Sequence, residues 1–215
     1  RKVPLITAFL FHAGGDENPA TLPENAGKSF IGSYVLGMGF TFDDTDKSGV
    51  ANPISLMLDL IAKDPRNAER IFPYVGGEEV NESPTHAHSR YVISFGDMTE
   101  ARAAAWPDLL GIVEAKVKPE RMKNNREGYR KYWWQYAEKR PALRAAITGL
   151  SKVLVIAQTS KTRMPHLVSS AQVFDQKLVI FSTNKYSHLA VLSSTPHQLW
   201  ALRYGSTMRT DPVYT

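Results

Sequence analysis

The stretch Lys116–His166 reads KVKPERMKNNREGYRKYWWQYAEKRPALRAAITGLSKVLVIAQTSKTRMPH. It carries thirteen Lys and Arg against three Glu; residues 1–115 carry nine against sixteen acidic residues, and residues 167–215 four against two. The formal net charge of +5 therefore hides a polarised chain, with an acidic N-terminal half and a basic centre. Tyr129, Tyr132, Trp133, Trp134 and Tyr136 are interleaved with the cations. Positive charge among aromatic rings, beside turns that can enter a groove, is what a nucleic-acid partner requires. The competing reading is a solvated helix face over a Trp-rich core side. The same stretch decides the fold. Its first half reads as helix: Arg126–Ala137, ending before Pro141, then Pro141–Gly149 with proline at its start and glycine at its end. Its second half switches to β, with Lys152–Gln158 (KVLVIAQ) a strong strand. An α+β fold follows, of mixed helices and mostly antiparallel short strands.

Working outward, Thr159–Pro165 is a polar, basic connection. His166–Ser169, Leu178–Ser182 and Leu189–Leu192 read as strands, and Ser194–Arg203 as a helix with a Ser or Thr cap. On the other side, Thr99–Val117 is helical with a break at Pro107. Pro53–Asp64 is a helix whose Ile54, Met57, Leu58 and Ile61 form one apolar stripe, and Arg66–Arg70 is a second helical piece. Phe72–Gly77 reads as a turn and Tyr91–Phe95 as a strand. Ser33–Phe42 alternates like a half-buried strand, with Gly37 and Gly39 marking a bulge or a close backbone approach. Leu5–His12 reads as a buried strand and Ala13–Gly27 as a loop.

The 215 residues suffice for one large domain or two small ones, and an apolar share of 43% is ordinary for a chain with a real core. The absence of Cys excludes disulfides, thiolate metal sites and a Cys nucleophile, and fits a cytoplasmic location. No apolar run is long enough to span a membrane. Both termini look cut, so an excised piece of a longer protein is expected.

Several motifs fall short of a chemistry. Gly27-Lys28-Ser29 resembles the tail of a phosphate loop, but Leu22 stands where its first glycine belongs. Asp43, Asp44 and Asp46 lack the rest of an EF-hand loop. His86 and His88, two apart, could face one cation, with Glu78 or Glu79 recruited; nothing fixes further ligands, and loop packing is the default. Ser193, Ser194 and His197 lack a nucleophile elbow and read as helix capping.

Taken together, Ile71–Glu79 (IFPYVGGEE), Tyr132-Trp133-Trp134, Arg140–Leu143 (RPAL), Leu192–Trp200 (LSSTPHQLW) and Ser206–Arg209 (STMR) resemble the C-terminal part of adenine-specific DNA methyltransferases. The likeness is to single-chain restriction-modification enzymes of the MmeI type, and it runs from about Phe30 onward. It implies a target recognition domain over 30–215: a basic helical centre at 116–150, a β-rich part at 151–193 and a C-terminal helix from 194. Residues 1–29 would be a connector or the tail of an upstream methyltransferase core. The family's Asn- or Asp-Pro-Pro-aromatic motif and Gly-rich S-adenosylmethionine loop are missing: the sequence has no Pro-Pro pair. No catalytic, cofactor or metal residue is therefore expected in this fragment. The resemblance places S-adenosylmethionine and adenine methylation in the upstream core, and implies double-stranded DNA and that core as partners.

A domain that reads DNA needs cations for phosphate and polar side chains for base edges. Lys116, Lys118, Lys139, Arg121, Arg140 and Arg144, with Lys123, Arg130 and Lys131, are phosphate candidates. Two connections could carry base readers. One is Lys123, Asn124, Asn125 and Arg126, where the asparagines could equally form a helix-capping turn. The other is Gln158 with Ser160, Lys161, Thr162 and Arg163; if extended, it would put Lys161 and Arg163 on one face. The aromatic cluster spans more than one helix face, so packing is expected for most of it. The alternatives to duplex recognition are a single-strand binder that stacks bases on those rings and a protein-interaction module.

Overall fold

The computed structural model describes residues 22–208 and 211–214; the strand expected at Leu5–His12, and Arg209, lie outside them. In chain order the elements are β1 (Ser29–Ile31), β2 (Thr41–Phe42), α1 (Ile54–Lys63), β3 (Ile71–Val75), α2 (Gly77–Glu82), β4 (Arg90–Ile93), α3 (Glu100–Ala103), α4 (Pro107–Lys116), α5 (Lys118–Met122), α6 (Glu127–Lys131), α7 (Pro141–Ile147), β5 (Lys152–Ala157), β6 (His166–Ser169), β7 (Val173–Phe174), β8 (Leu178–Phe181), α8 (Tyr186–Leu192), α9 (Thr195–Tyr204), β9 (Ser206–Met208) and β10 (Asp211–Val213). The fold is α+β, as expected.

One sheet has the order β1-β8-β5-β6 and is antiparallel throughout. Its central strand β5 is buried from Val153 to Ala157, which explains an unbroken apolar run rather than an alternating one. Val153, Val155 and Ala157 join Val80 of α2 and Leu143 and Ile147 of α7 in one core. The second sheet, β2-β4-β3-β7, is antiparallel except where β7 runs parallel to β3. Its core collects Phe40, Phe42, Ile93 and Phe95 with Leu109 and Val113 of α4 and Trp133, Trp134 and Tyr136. A two-stranded hairpin, β9–β10, closes the described chain.

Several local expectations give way to tertiary contacts. Helix α6 stops at Lys131, because Tyr132 leaves helical geometry and the next residues turn inward. Trp134 Nε1 and Gln135 Nε2 donate to the Met98 carbonyl at 2.9 and 2.8 Å, and Tyr136 Oη donates to that of Ile93 at 2.8 Å. Burying two Trp and a Tyr outweighs the few tenths of a kcal/mol per residue that helix propensity supplies. Of Ser33–Phe42 only Thr41–Phe42 is a strand, β2: Leu36 and Gly37 take positive φ and Met38–Phe40 is a 3-10 turn. A Cβ on Gly39 would lie 2.5 Å from Lys116 Cβ, so the close approach anticipated there is real. Phe72–Val75 of the expected turn instead lie in strand β3, and Gly76 and Gly77 lead into α2; β7 pairs only Tyr74 and Val75, so Pro73 interrupts no bond on that edge. Residues 189–192 belong to helix α8. In α1, Leu58 lies at the rim of the stripe and is 58% exposed, and Leu60 packs in its place.

The Glu79–Arg90 pair fixes α2 on β4. Arg90 Nε and Nη2 donate to the two carboxylate oxygens at 2.7 and 2.8 Å, and the Gly76 N–H adds a bond of 2.8 Å. Burial alone would raise the Glu79 carboxyl; the Arg90 hydrogen bonds and charge, with Gly76, outweigh it and hold it below the usual 4.5. Because the folded value is depressed, this stabilisation is present above pH 4.5 and is lost as pH falls through the folded value. Glu79→Gln should therefore cost about 2 kcal/mol or more near neutrality and flatten the acid limb of the stability–pH profile, as urea titrations would show.

Candidate nucleic-acid interface

The β5–β6 connection, Gln158–Pro165, is a built turn. Ser160 Oγ accepts from the backbone N–H of Thr162 and of Arg163, both at 3.2 Å, and Arg163 takes φ 49°. The hairpin at the C-terminus holds its start: Ser160 N–H donates to the Pro212 carbonyl at 3.3 Å and Tyr214 N–H to that of Gln158 at 2.7 Å. Asn81 Nδ2, at the end of α2, donates to the Thr159 carbonyl at 3.1 Å. Gln198 of α9 reaches Met164. The connection is therefore not extended, and Lys161 and Arg163 do not share a face. Lys161 and Thr162 are exposed, Gln158 is half-buried, and Ser160 and Arg163 are buried. The Arg163 guanidinium enters the protein with Nε and Nη1 unpartnered.

The second segment is also ordered by its own side chains. Asn124 Oδ1 accepts the Arg126 N–H at 2.9 Å, an Asx turn just ahead of α6, whose own N-cap Arg126 makes no side-chain cap. Arg130 Nη1 donates to the Asn124 carbonyl at 2.5 Å. Arg126 Nη1 donates to Tyr129 Oη at 2.7 Å, with the guanidinium over that ring. Lys123 and Asn125 are exposed, and among the described residues no side-chain hydrogen bond or ion pair holds either. Lys131 lies over the exposed Tyr132 ring, 5.5 Å from its centroid. Among the described residues, no hydrogen bond, ion pair or ring contact joins this segment to Gln158–Pro165.

Much of the remaining basic centre is internal. Arg121 is only 2% exposed and donates to the carbonyls of Leu36, Val35 and Gln135 at 3.0, 2.8 and 3.1 Å, so it is a structural staple and cannot meet a phosphate. Burial lowers its pKa from the usual arginine value. Lys116 Nζ caps the carbonyls of Val50 and Ala51, and Arg144 donates to that of Gln172. Lys118 pairs with Glu114, Lys139 with Asp97, and Arg140 with Glu138. Charge counted in sequence thus overstates the charge a ligand would meet.

The other motifs resolve as packing. Trp133 and Trp134 are 4% and 6% exposed, which removes them as stacking platforms. Asp46 accepts the N–H groups of Ser48, Val50 and Ala51, and its hydrogen bonds, Ser48 Oγ foremost, hold its carboxyl down at about 2. Among the described residues no cluster of three His, Asp or Glu could hold a metal. His86 and His88 part company: His86 lies tilted against His166, and His88 meets Tyr91 edge to face. His197 bonds the Leu192 carbonyl and Tyr214 Oη, while Ser194 caps α9. Sequence reasoning missed the roles of Asn81, His86 and β10 around the connection. Nothing local marks them, because their partners lie far away in the chain.

The family model described as the MmeI target recognition domain matches residues 54–215. The chain belongs to this family. No curated protein matches the sequence. Among solved structures, the type IIL restriction-modification enzyme MmeI in complex with DNA superposes with a TM-score of 0.69 at 17% identity. The superposition covers 100% of this chain and 27% of MmeI, so the chain spans about a quarter of that protein. At this identity the likeness speaks for the fold alone, and it is the fold of a target recognition domain.

If Ser160 builds the turn and Lys161 only decorates it, the two should differ sharply in stability. Ser160→Ala should cost about 1–2 kcal/mol and Lys161→Ala no more than about 0.5 kcal/mol, measured by chemical denaturation.

Proposed function

We propose that this chain reads a duplex DNA sequence for a restriction-modification enzyme of which it is the target recognition part. The observation that carries the reading is the Gln158–Pro165 turn of a target recognition domain. It is anchored at both ends yet presents Lys161 and Thr162 to solvent. A rigid turn with a free cation at its tip can address base edges in the major groove without ordering cost on binding. Arg163, with its guanidinium buried in the protein, is not among the groups offered to the DNA. Lys123, Arg126, Arg130 and Lys131 hold the phosphate backbone, and Asn125 is a further candidate for a base edge. Adenine N6 methylation, S-adenosylmethionine binding and any DNA cleavage belong to an upstream core of the same polypeptide, acting in the cytoplasm.

Fluorescence anisotropy with labelled duplex and single-stranded oligonucleotides tests this. Duplex should bind more tightly than either strand. With about four phosphates neutralised, log K should fall against log salt with a slope near about −4. A flat salt response, or preference for single strands, would reject the reading.

A further inference from the structure

We propose that Asn81 and His86 are positioning residues for the Gln158–Pro165 turn, and that the His86–His166 stack makes this clamp proton-sensitive. The inference rests on the reading of that turn as the DNA-contacting element, and its first test does not need DNA.

The clamp is visible as two contacts from one short segment. Asn81 bonds the Thr159 carbonyl at the start of the turn. Five residues on, His86 lays its ring on His166, the residue that ends the turn and begins β6, with centroids 3.8 Å apart and planes tilted by 42°. His86 holds φ 52°, an uncommon conformation for a residue with a side chain. Its Nδ1 is buried without a partner. A strained backbone and an orphaned nitrogen persist where surrounding contacts over-determine them, and the stack is the contact that this ring makes.

Two imidazoles this close cannot both carry charge at low cost. Burial first, and then the His86 charge, lower the pKa of His166 from 6.5. Among the described residues no carboxylate pairs with either ring. Of the charged groups on neighbouring elements, Glu79 is committed to Arg90. Glu78 and Glu82 of α2, Lys152 of β5, and Lys161 and Arg163 of the turn form no ion pair with either ring among the described residues. On β5, Val155 stands opposite His166. Since the folded His166 value is depressed, the stack is intact above pH 6.5 and weakens as pH falls below it.

Amide hydrogen exchange of the protein alone, corrected for intrinsic rates, reads the clamp directly. Between about pH 7.5 and pH 5.5, protection of residues 159–166 should fall by about tenfold in the wild type, while β5 and β8 stay unchanged. His86→Phe keeps a ring that cannot charge and leaves only the burial of His166, so it should lose clearly less protection than the wild type over the same interval. His86→Asn tolerates the backbone but loses the stack, and should be poorly protected at both. Asn81→Ala should lose protection at the Thr159 end only. Wild-type protection that ignores pH, or a His86→Phe variant that opens in parallel with the wild type, would overturn the proposal. In the DNA arm, wild-type discrimination between a duplex enriched from a randomised pool and a scrambled duplex should drop at the lower pH, and that of His86→Phe should drop less. Failure to discriminate at any pH, with the protection pattern as expected, would reject the DNA reading and leave the clamp standing.

Discussion

The molecule turns on the carboxylate of Asp175. The chain leaves the second sheet at Phe174 and enters the first at Leu178, so three residues must carry it from one plane to another. Asp175 Oδ2 takes the phenol of Tyr74, and Oδ1 takes the Lys177 N–H at 2.8 Å. Its own N–H donates to the Val75 carbonyl at 2.9 Å. The first sheet's edge also passes here: Ser33 N–H donates to the Phe174 carbonyl at 2.7 Å. A Cβ on Gly32 would fall 2.0 Å from the Asp175 carbonyl oxygen, a crossing that only glycine permits. Burial first, then the Asp175 charge, push the Tyr74 hydroxyl far above its ordinary range, so it remains a donor at every accessible pH. The first sheet, which carries the β5–β6 turn, is joined to the second through this seam.

The helical half is held by a different use of charge. Its cations are spent largely on backbone carbonyls and nearby carboxylates, with Arg121 sealing the irregular path at Val35 and Leu36. A buried carbonyl that lies outside any ladder needs a donor, and a guanidinium supplies several from one side chain. What remains for a partner is a smaller set on α6 and the turns beside it. The functional reading therefore relies on a few exposed residues in fixed turns rather than on the gross polarity of the chain.

Local pattern made much of this legible. Pro107 and Pro141 mark helix starts, Ser194 caps α9, and the run Val153–Ala157 is a central strand because such signals are written in adjacent residues. The family resemblance could be seen in spaced motifs, and the two candidate turns lie where the sequence places them. The failures share one cause. Tyr132–Tyr136, Ser33–Phe42 and the Ile71–Val75 strand are shaped by partners dozens of residues away. No window of sequence contains both a carbonyl at Met98 and the Trp134 indole that donates to it. The inward course of Arg163 was hidden for the same reason: two exposed-looking residues at a spacing of two share a face only in extended chain, and Ser160 folds this chain back.

The central claim is that the Gln158–Pro165 turn reads base sequence. Selection of bound duplexes from a randomised pool, followed by sequencing, measures this most directly. The account predicts that the wild-type chain enriches a defined motif, and that Lys161→Ala degrades one position of it while the others persist, since one good base contact is worth about 1–3 kcal/mol of discrimination. A pool that stays random, or a motif that survives unchanged when Lys161, Thr162 and Arg163 are each replaced, would contradict it.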